Sequence, residues 1–201
     1  MKKKIAFLYV VILLFSISCS VNRGAKQMYE NLPDAGDCIK NPELAKQTIS
    51  KLDEIIKMAP NWWDPYRMKI ALYSSVELND SDSDPDKQII KVYESWAEKN
   101  NMDIQILVAY ATHLDKIGED EKALDAMRQA WNDFNKKKKK RPKDSNEENM
   151  MFAGVFAGVW LGEVSSENIG DYHFVAERNP DLINALESMV KSNSDALFLW
   201  D

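Results

Sequence analysis

The chain has 201 residues, of which 45% are hydrophobic and 29% charged, and it contains 2 cysteines. This composition is typical of a folded globular protein, and it excludes a disordered chain, a collagen and a disulfide-rich scaffold. The net charge of −6 argues against a nucleic-acid partner, because binding to phosphates relies on an excess of Lys and Arg.

Residues 1–18 have the organisation of a signal peptide. Three lysines precede an apolar run over 5–15, which is followed by Ser16-Ile17-Ser18. A membrane-spanning helix needs ~20 apolar residues, so this run is too short to remain in a bilayer. We therefore predict that 1–18 is removed, which leaves a chain with a net charge of −9.

This stretch resembles the signals of bacterial lipoproteins, in which a small residue, here Ser18, precedes a cysteine that becomes lipidated. The resemblance implies that Cys19 carries acyl chains such as palmitate, and two or more chains hold a protein stably on a bilayer. Ser16 departs from the Leu usual in that family, so an ordinary signal peptidase that leaves a free thiol is the alternative. Ser20 stands where relatives kept at the inner membrane often carry Asp, which implies an outer-membrane lipoprotein facing the periplasm.

The mature chain is predicted to consist of a lipidated tether, 19–40, and a helical domain, 41–201. With Cys19 acylated, Cys38 has no cysteine left for a disulfide within the chain. We interpret Cys38 as a buried thiol. A sulfur that is exposed and pairs with another chain is the alternative.

Four Asx-Pro pairs predict helix starts. In each pair the Asx side chain caps the first turn, and proline fills a position whose missing N–H costs nothing. Helices are therefore expected to begin near residues 42, 65, 85 and 180. Gly118 separates two further predicted helices, 103–117 and 119–137. No segment alternates apolar and polar residues, so we predict an all-α fold.

One spacing repeats with a period of 34 residues, from the set Ile89, Tyr93, Trp96 and Asn101 to the set Ala123, Met127, Ala130 and Asn135. The helix before the second set carries large and small residues on one face: Leu107, Tyr110, Ala111 and Leu114. The pattern resembles the tetratricopeptide repeat, with an earlier partial copy at Leu52, Ile55 and Pro60. The resemblance covers about 44–135 and implies an α-solenoid of stacked antiparallel helical hairpins, whose repeat number stays open.

In that family the first helices of the hairpins line a groove that binds peptides or partner helices. The face of the Leu107 helix that points away from the predicted core carries Gln105, Val108, Thr112 and Asp115. Asp64 and Arg67 are expected to play the same part in the preceding hairpin. The resemblance thus implies a scaffold for another envelope protein, with no cofactor and no metal. The Ser/Asp-rich segment 79–86 lacks the central Gly and terminal Glu of a calcium loop.

No catalytic motif is present, and we predict that the protein is not an enzyme. The chain has 2 histidines, His113 and His173, and no HExxH, GxSxG or P-loop pattern. His113 is expected to be structural, and Trp96, Tyr110 and Trp131 are expected to be core residues and not a platform for a ligand. Two alternatives stay open. The first is a protective or inhibitory protein that occludes an enzyme, as an immunity protein does. The second is a glycan-cleaving enzyme that uses Glu163 as its acid.

Two features near the C-terminal third stand apart from the repeats. The segment 136–145 begins with five lysines and is interpreted as a solvated connector, or as a contact for anionic lipid headgroups. Beyond it, an apolar helix over 150–162 contains Gly154, Gly158 and Gly162. Glycine costs ~1 kcal/mol in a helix interior, so we expect close packing on a neighbouring helix of the same domain, with docking of a partner helix as the alternative.

Overall fold

The computed structural model describes residues 23–76, 84–137, 141–176 and 180–197. Within these ranges all regular structure is helical and no strand occurs, which confirms the all-α prediction. The helices are 23–30 (α1), Ala35–Ile39 (α2), Pro42–Met58 (α3), Trp63–Ser75 (α4), Pro85–Ala97 (α5), Ile104–Lys116 (α6), Asp120–Lys137 (α7), Ser145–Trp160 (α8), the 3-10 helix Ile169–Ala176 and Pro180–Leu197 (α9). None of the helices in these ranges has both the length and the apolar composition needed to cross a membrane.

Three predicted helix starts are confirmed, and one is displaced. α3, α5 and α9 begin at their prolines, and the Asn41 side chain accepts a hydrogen bond from the Leu44 N–H at 3.2 Å. α4 begins two residues before Pro65, at Trp63, and its N-cap position has no side-chain hydrogen bond. Asp64 lies inside the first turn of α4, where its carboxylate accepts a hydrogen bond from the Trp62 indole instead of capping the backbone.

The turn between α6 and α7 confirms the prediction for Gly118. Its φ of 76° is in the left-handed region that favours glycine. The Glu119 N–H donates to the Leu114 carbonyl at 3.0 Å, and the Gly118 N–H donates to the Asp115 carbonyl at 3.0 Å. This pair of bonds satisfies the last carbonyls of α6 and sends the chain directly into α7.

The described residues belong to two compact units, divided between Asn101 and Met102. In the first, unit 1, α2 packs on both α3 and α4, and α4 packs on α5. Cys38 is fully buried, and its thiol donates to the Thr48 hydroxyl at 3.5 Å, so the buried-thiol prediction is confirmed. Ala25 of α1 is also fully buried and packs with Ile55 and Ala59.

The predicted tether 19–40 is therefore too long, because Ala25 and Cys38 are fully buried in core clusters of unit 1. α1 and α2 are too short to produce a periodic apolar pattern, so the sequence did not indicate that they pack. The predicted connector 136–145 is also shorter than expected. Lys136 and Lys137 are the last residues of α7, α8 begins at Ser145, and 138–140 lies outside the described residues.

Unit 2, the second unit, is organised around α8. α6 pairs with α7, α8 packs on both of them, and α9 and the 3-10 helix pack on α8. A Cβ atom added to Gly154 would lie 2.5 Å from Cβ of Phe134, and one added to Gly158 would lie 2.6 Å from Cζ3 of Trp131. The predicted close helix packing is thus confirmed for these two glycines, since α7 occupies the space that a side chain would need.

Gly162 differs from the expectation, because it lies beyond the end of α8. Its φ is 75°, and the Glu163 N–H beside it donates to the Gly158 carbonyl at 2.8 Å. Gly162 therefore ends the helix in the same way as Gly118 and takes no part in helix packing.

We predict that Gly154→Ala destabilises the protein by about 1–3 kcal/mol, because the new methyl group forces Phe134 or the α8 backbone to move. Chemical denaturation of the purified chain measures the change. Gly170→Ala is the matched control, since a Cβ there meets nothing within 4 Å. Equal stability of the two variants would contradict this account of the α7–α8 contact.

Candidate functional site

The predicted site residues of α6 form one stripe along that helix. Gln105 and Asp115 are exposed, and Val108 and Thr112 are half-buried. The helix has this orientation because its opposite face, Leu107, Ala111 and Leu114, is buried in the core of unit 2. Asp103 fixes the start of α6, as its carboxylate accepts a hydrogen bond from the Ile106 N–H at 2.9 Å.

We call these four residues, Gln105, Val108, Thr112 and Asp115, the α6 stripe. Three of them have polar side chains, and Val108 is apolar. The Thr112 hydroxyl donates to the Ala109 carbonyl at 2.7 Å, so its oxygen still has acceptor capacity. The Gln105 amide can donate and accept, and the Asp115 carboxylate accepts. Such a set suits the hydrogen-bonding groups of a peptide better than it suits an apolar ligand.

Asp64 and Arg67 lie together on α4 in unit 1. An Nη2 atom of Arg67 is 3.2 Å from Oδ1 of Asp64, and the indole Nε1 of Trp62 donates to Oδ2 of Asp64 at 3.0 Å. Both carboxylate oxygens are thus engaged locally, while the Arg67 side chain remains 70% exposed. The structure therefore groups the six predicted residues as two sets, one on α4 in unit 1 and the other on α6 in unit 2.

The tryptophans and the tyrosine that we expected to be in the core differ in burial. Trp96 is buried and makes an edge contact with Trp63, with ring centroids 4.9 Å apart. Burial raises the pKa of the neighbouring Tyr93 to about 12. Tyr110 and Trp131 are half-buried, so the core prediction holds only in part for them.

A polar cavity of about 150 Å³ in unit 1 was not predicted from the sequence. Lys69, whose side chain is 14% exposed, forms an ion pair there with Asp53 and lies 5.7 Å from the ring centroid of Tyr73. Burial raises the pKa of Tyr73, and the charge of Asp53 adds to the increase. The charge of Lys69 is balanced by Asp53, so this ion pair links α4 to α3.

The two histidines lie on different elements of unit 2, His113 on α6 and His173 in the 3-10 helix. His113 is half-buried on α6, and Nε2 of His173 lies 3.1 Å from a carboxylate oxygen of Glu187. Glu163 is exposed at the turn after α8. Across the described ranges, no group of three His, Cys, Asp or Glu side chains is arranged to hold a metal ion.

Comparison with protein-family models, with curated proteins and with solved structures found no match to this chain.

We predict that Asp53→Asn destabilises unit 1 more than Lys69→Met does. Removing the carboxylate leaves a largely buried ammonium without its partner, which costs about 1–2 kcal/mol here because Asp53 is itself 45% exposed. Lys69→Met removes the buried charge and keeps the apolar stem, so its cost is under ~1 kcal/mol. Denaturant unfolding of both variants tests the order, and the reverse order would show that Lys69 does not need its partner.

Proposed function

We propose that the protein is a membrane-anchored envelope lipoprotein that binds another protein through a helical-repeat groove. The observation that carries the proposal is the packing of α8 on both helices of the α6–α7 pair. In stacked helical repeats, each hairpin contacts its neighbour in this manner, and the first helices line the binding groove. In unit 1, α4 packs on both α2 and α3 in the same way.

The α6 stripe supports the choice of a protein partner. α6 is the first helix of its pair, and the stripe stays exposed or half-buried although α7 and α8 both pack on this helix. Gln105, Thr112 and Asp115 supply donors and acceptors for an extended peptide or for the polar side of a partner helix. The acidic charge of the chain favours partners that carry Lys or Arg.

The location rests on the N-terminal sequence. The predicted signal peptide ends at Ser18, directly before Cys19, and acylation of Cys19 would hold the chain on the periplasmic face of the outer membrane. The partner is then an envelope component that reaches this membrane surface. The protein needs no cofactor or metal for such a scaffolding function.

A photoreactive residue that replaces Thr112 is expected to form a crosslink to one envelope protein in living cells. The same residue in place of Gln129, which is exposed on α7, is the control and should not capture that protein. Capture of a hydrolase or toxin would favour the inhibitory alternative. If the two positions gave the same products, the α6 stripe would not be the binding surface.

Cys19→Ser is expected to release the protein from the membrane fraction or to leave an uncleaved precursor. Acyl chains are the only anchor in the proposal, and each buried methylene contributes ~0.8 kcal/mol to membrane binding. Fractionation of cells and the mass of the mature N-terminus measure the outcome. A wild-type chain that is soluble and has a free Cys19 thiol would indicate ordinary signal peptidase cleavage and contradict the anchor.

A further inference from the structure

A cleft of about 400 Å³ lies in unit 2 between α7 and the C-terminal end of α8. Small-molecule sites commonly have volumes of ~300–1,000 Å³, so its size suits a ligand of one or two rings. Two leucines line the cleft together with five residues that carry aromatic or polar side chains: Arg128, Trp131, Asn132, Trp160 and Glu163.

The α7 side of the cleft is held in place before any ligand arrives. Arg128, Trp131 and Asn132 are spaced so that they share one face of the helix. The ring of Trp131 stacks on Phe134, with centroids 5.5 Å apart, and its Cζ3 atom occupies the space beside the missing side chain of Gly158. The ring also lies 5.9 Å from that of Tyr172, centroid to centroid, so Trp131 forms a rigid, half-buried aromatic wall of the cleft.

The α8 side is fixed by the turn that ends the helix. The N–H of Glu163 donates to the Gly158 carbonyl at 2.8 Å, and its carbonyl accepts from the Asn168 side chain at 3.2 Å. Burial raises the pKa of Tyr172, and the charges of Asp171 and Glu163 add to the increase, so the Glu163 carboxylate lies within electrostatic reach of this ring. The backbone therefore holds Glu163 at the edge of the cleft.

The chemistry of these side chains matches a sugar. A pyranose ring has an apolar C–H face and a rim of hydroxyl groups, each of which donates and accepts hydrogen bonds. Tryptophan supplies a flat apolar surface for the C–H face. For the hydroxyl groups, the Arg128 guanidinium donates hydrogen bonds, the Glu163 carboxylate accepts them and the Asn132 amide does both. We propose that this cleft binds a saccharide, with a pyranose ring stacked on the half-buried indole of Trp160 and its hydroxyls bonded to Arg128, Asn132 and Glu163.

A protein side chain is a poorer occupant of this cleft. An apolar anchor residue would cover the polar groups of Arg128, Asn132 and Glu163 without bonding to them, and leaving such groups unpaired is costly. Arg128 and Glu163 carry opposite charges, which also disfavours a ligand with a large net charge of either sign. Glycoside hydrolysis normally uses two carboxyl groups, and Glu163 is the one carboxylate among the described lining residues, so the proposal is binding without cleavage.

The test uses the mature full chain in a detergent without a sugar headgroup. An array of immobilised oligosaccharides, covering neutral hexoses and N-acetylhexosamines, is the probe, and tryptophan fluorescence then measures the affinity for the best sugar. We expect at least one sugar to bind. Trp160→Ala and Asn132→Ala should each weaken binding by about tenfold, the equivalent of one lost stacking or hydrogen-bonding contact.

Gln129→Ala is the matched control, because Gln129 is exposed on α7 and does not line the cleft. It should bind the sugar as the wild type does, and all three variants should keep the helix content of the wild type and a cooperative unfolding transition. Absence of binding across the array, or an unchanged affinity in Trp160→Ala, would overturn the proposal. Loss of a crosslinked protein in Trp160→Ala without any sugar binding would identify the cleft as a protein anchor and would also overturn it. The residues differ from those of the α6 stripe, so failure here leaves the proposed scaffold function intact.

Discussion

Unit 2 depends on one close contact, in which the backbone of α8 lies directly against the aromatic rings of α7. Gly154 and Gly158 allow this approach, because any side chain at either position would overlap Phe134 or Trp131. Each glycine weakens the isolated helix by ~1 kcal/mol, and the burial of aromatic surface offsets the loss. α8 can therefore pack on α6 and α7 together, and in this arrangement the α6 stripe remains exposed or half-buried.

In unit 1, two side-chain hydrogen bonds to a single backbone carbonyl connect neighbouring segments of the chain. The Pro60 carbonyl, within the connection from α3 to α4, accepts hydrogen bonds from the Tyr66 hydroxyl at 3.1 Å and from the Asn100 side-chain amide at 2.9 Å. In the sequence, Pro60 was noted only as a member of the partial repeat copy with Leu52 and Ile55. Its carbonyl joins the connection to α4 and to the segment after α5, because two side chains share the two lone pairs of one oxygen.

The sequence predicted best where a local rule decides the structure. Asn41-Pro42 and Gly118 each determine a helix end through backbone chemistry within a few residues, and both were predicted correctly. The same rule predicted a helix start at Asp64-Pro65. The Asp64 carboxylate instead accepts a hydrogen bond from the Trp62 indole, and α4 begins earlier, at Trp63. Packing that depends on contacts distant in the chain, such as the burial of Ala25 in α1, left no periodic signal in so short a helix.

The same distinction explains why the cleft of unit 2 was missed although its residues were visible. Trp131 was predicted as core, and Glu163 was considered only as a catalytic acid. Their proximity arises because the close α7–α8 packing and the turn at Gly162 bring residues about thirty positions apart to one edge of the unit. A half-buried tryptophan beside fixed polar groups is a feature of three-dimensional packing, and periodicity alone assigns such a residue to the core. The stripe on α6 was foreseeable for the opposite reason, since a single helix supplies all four of its residues.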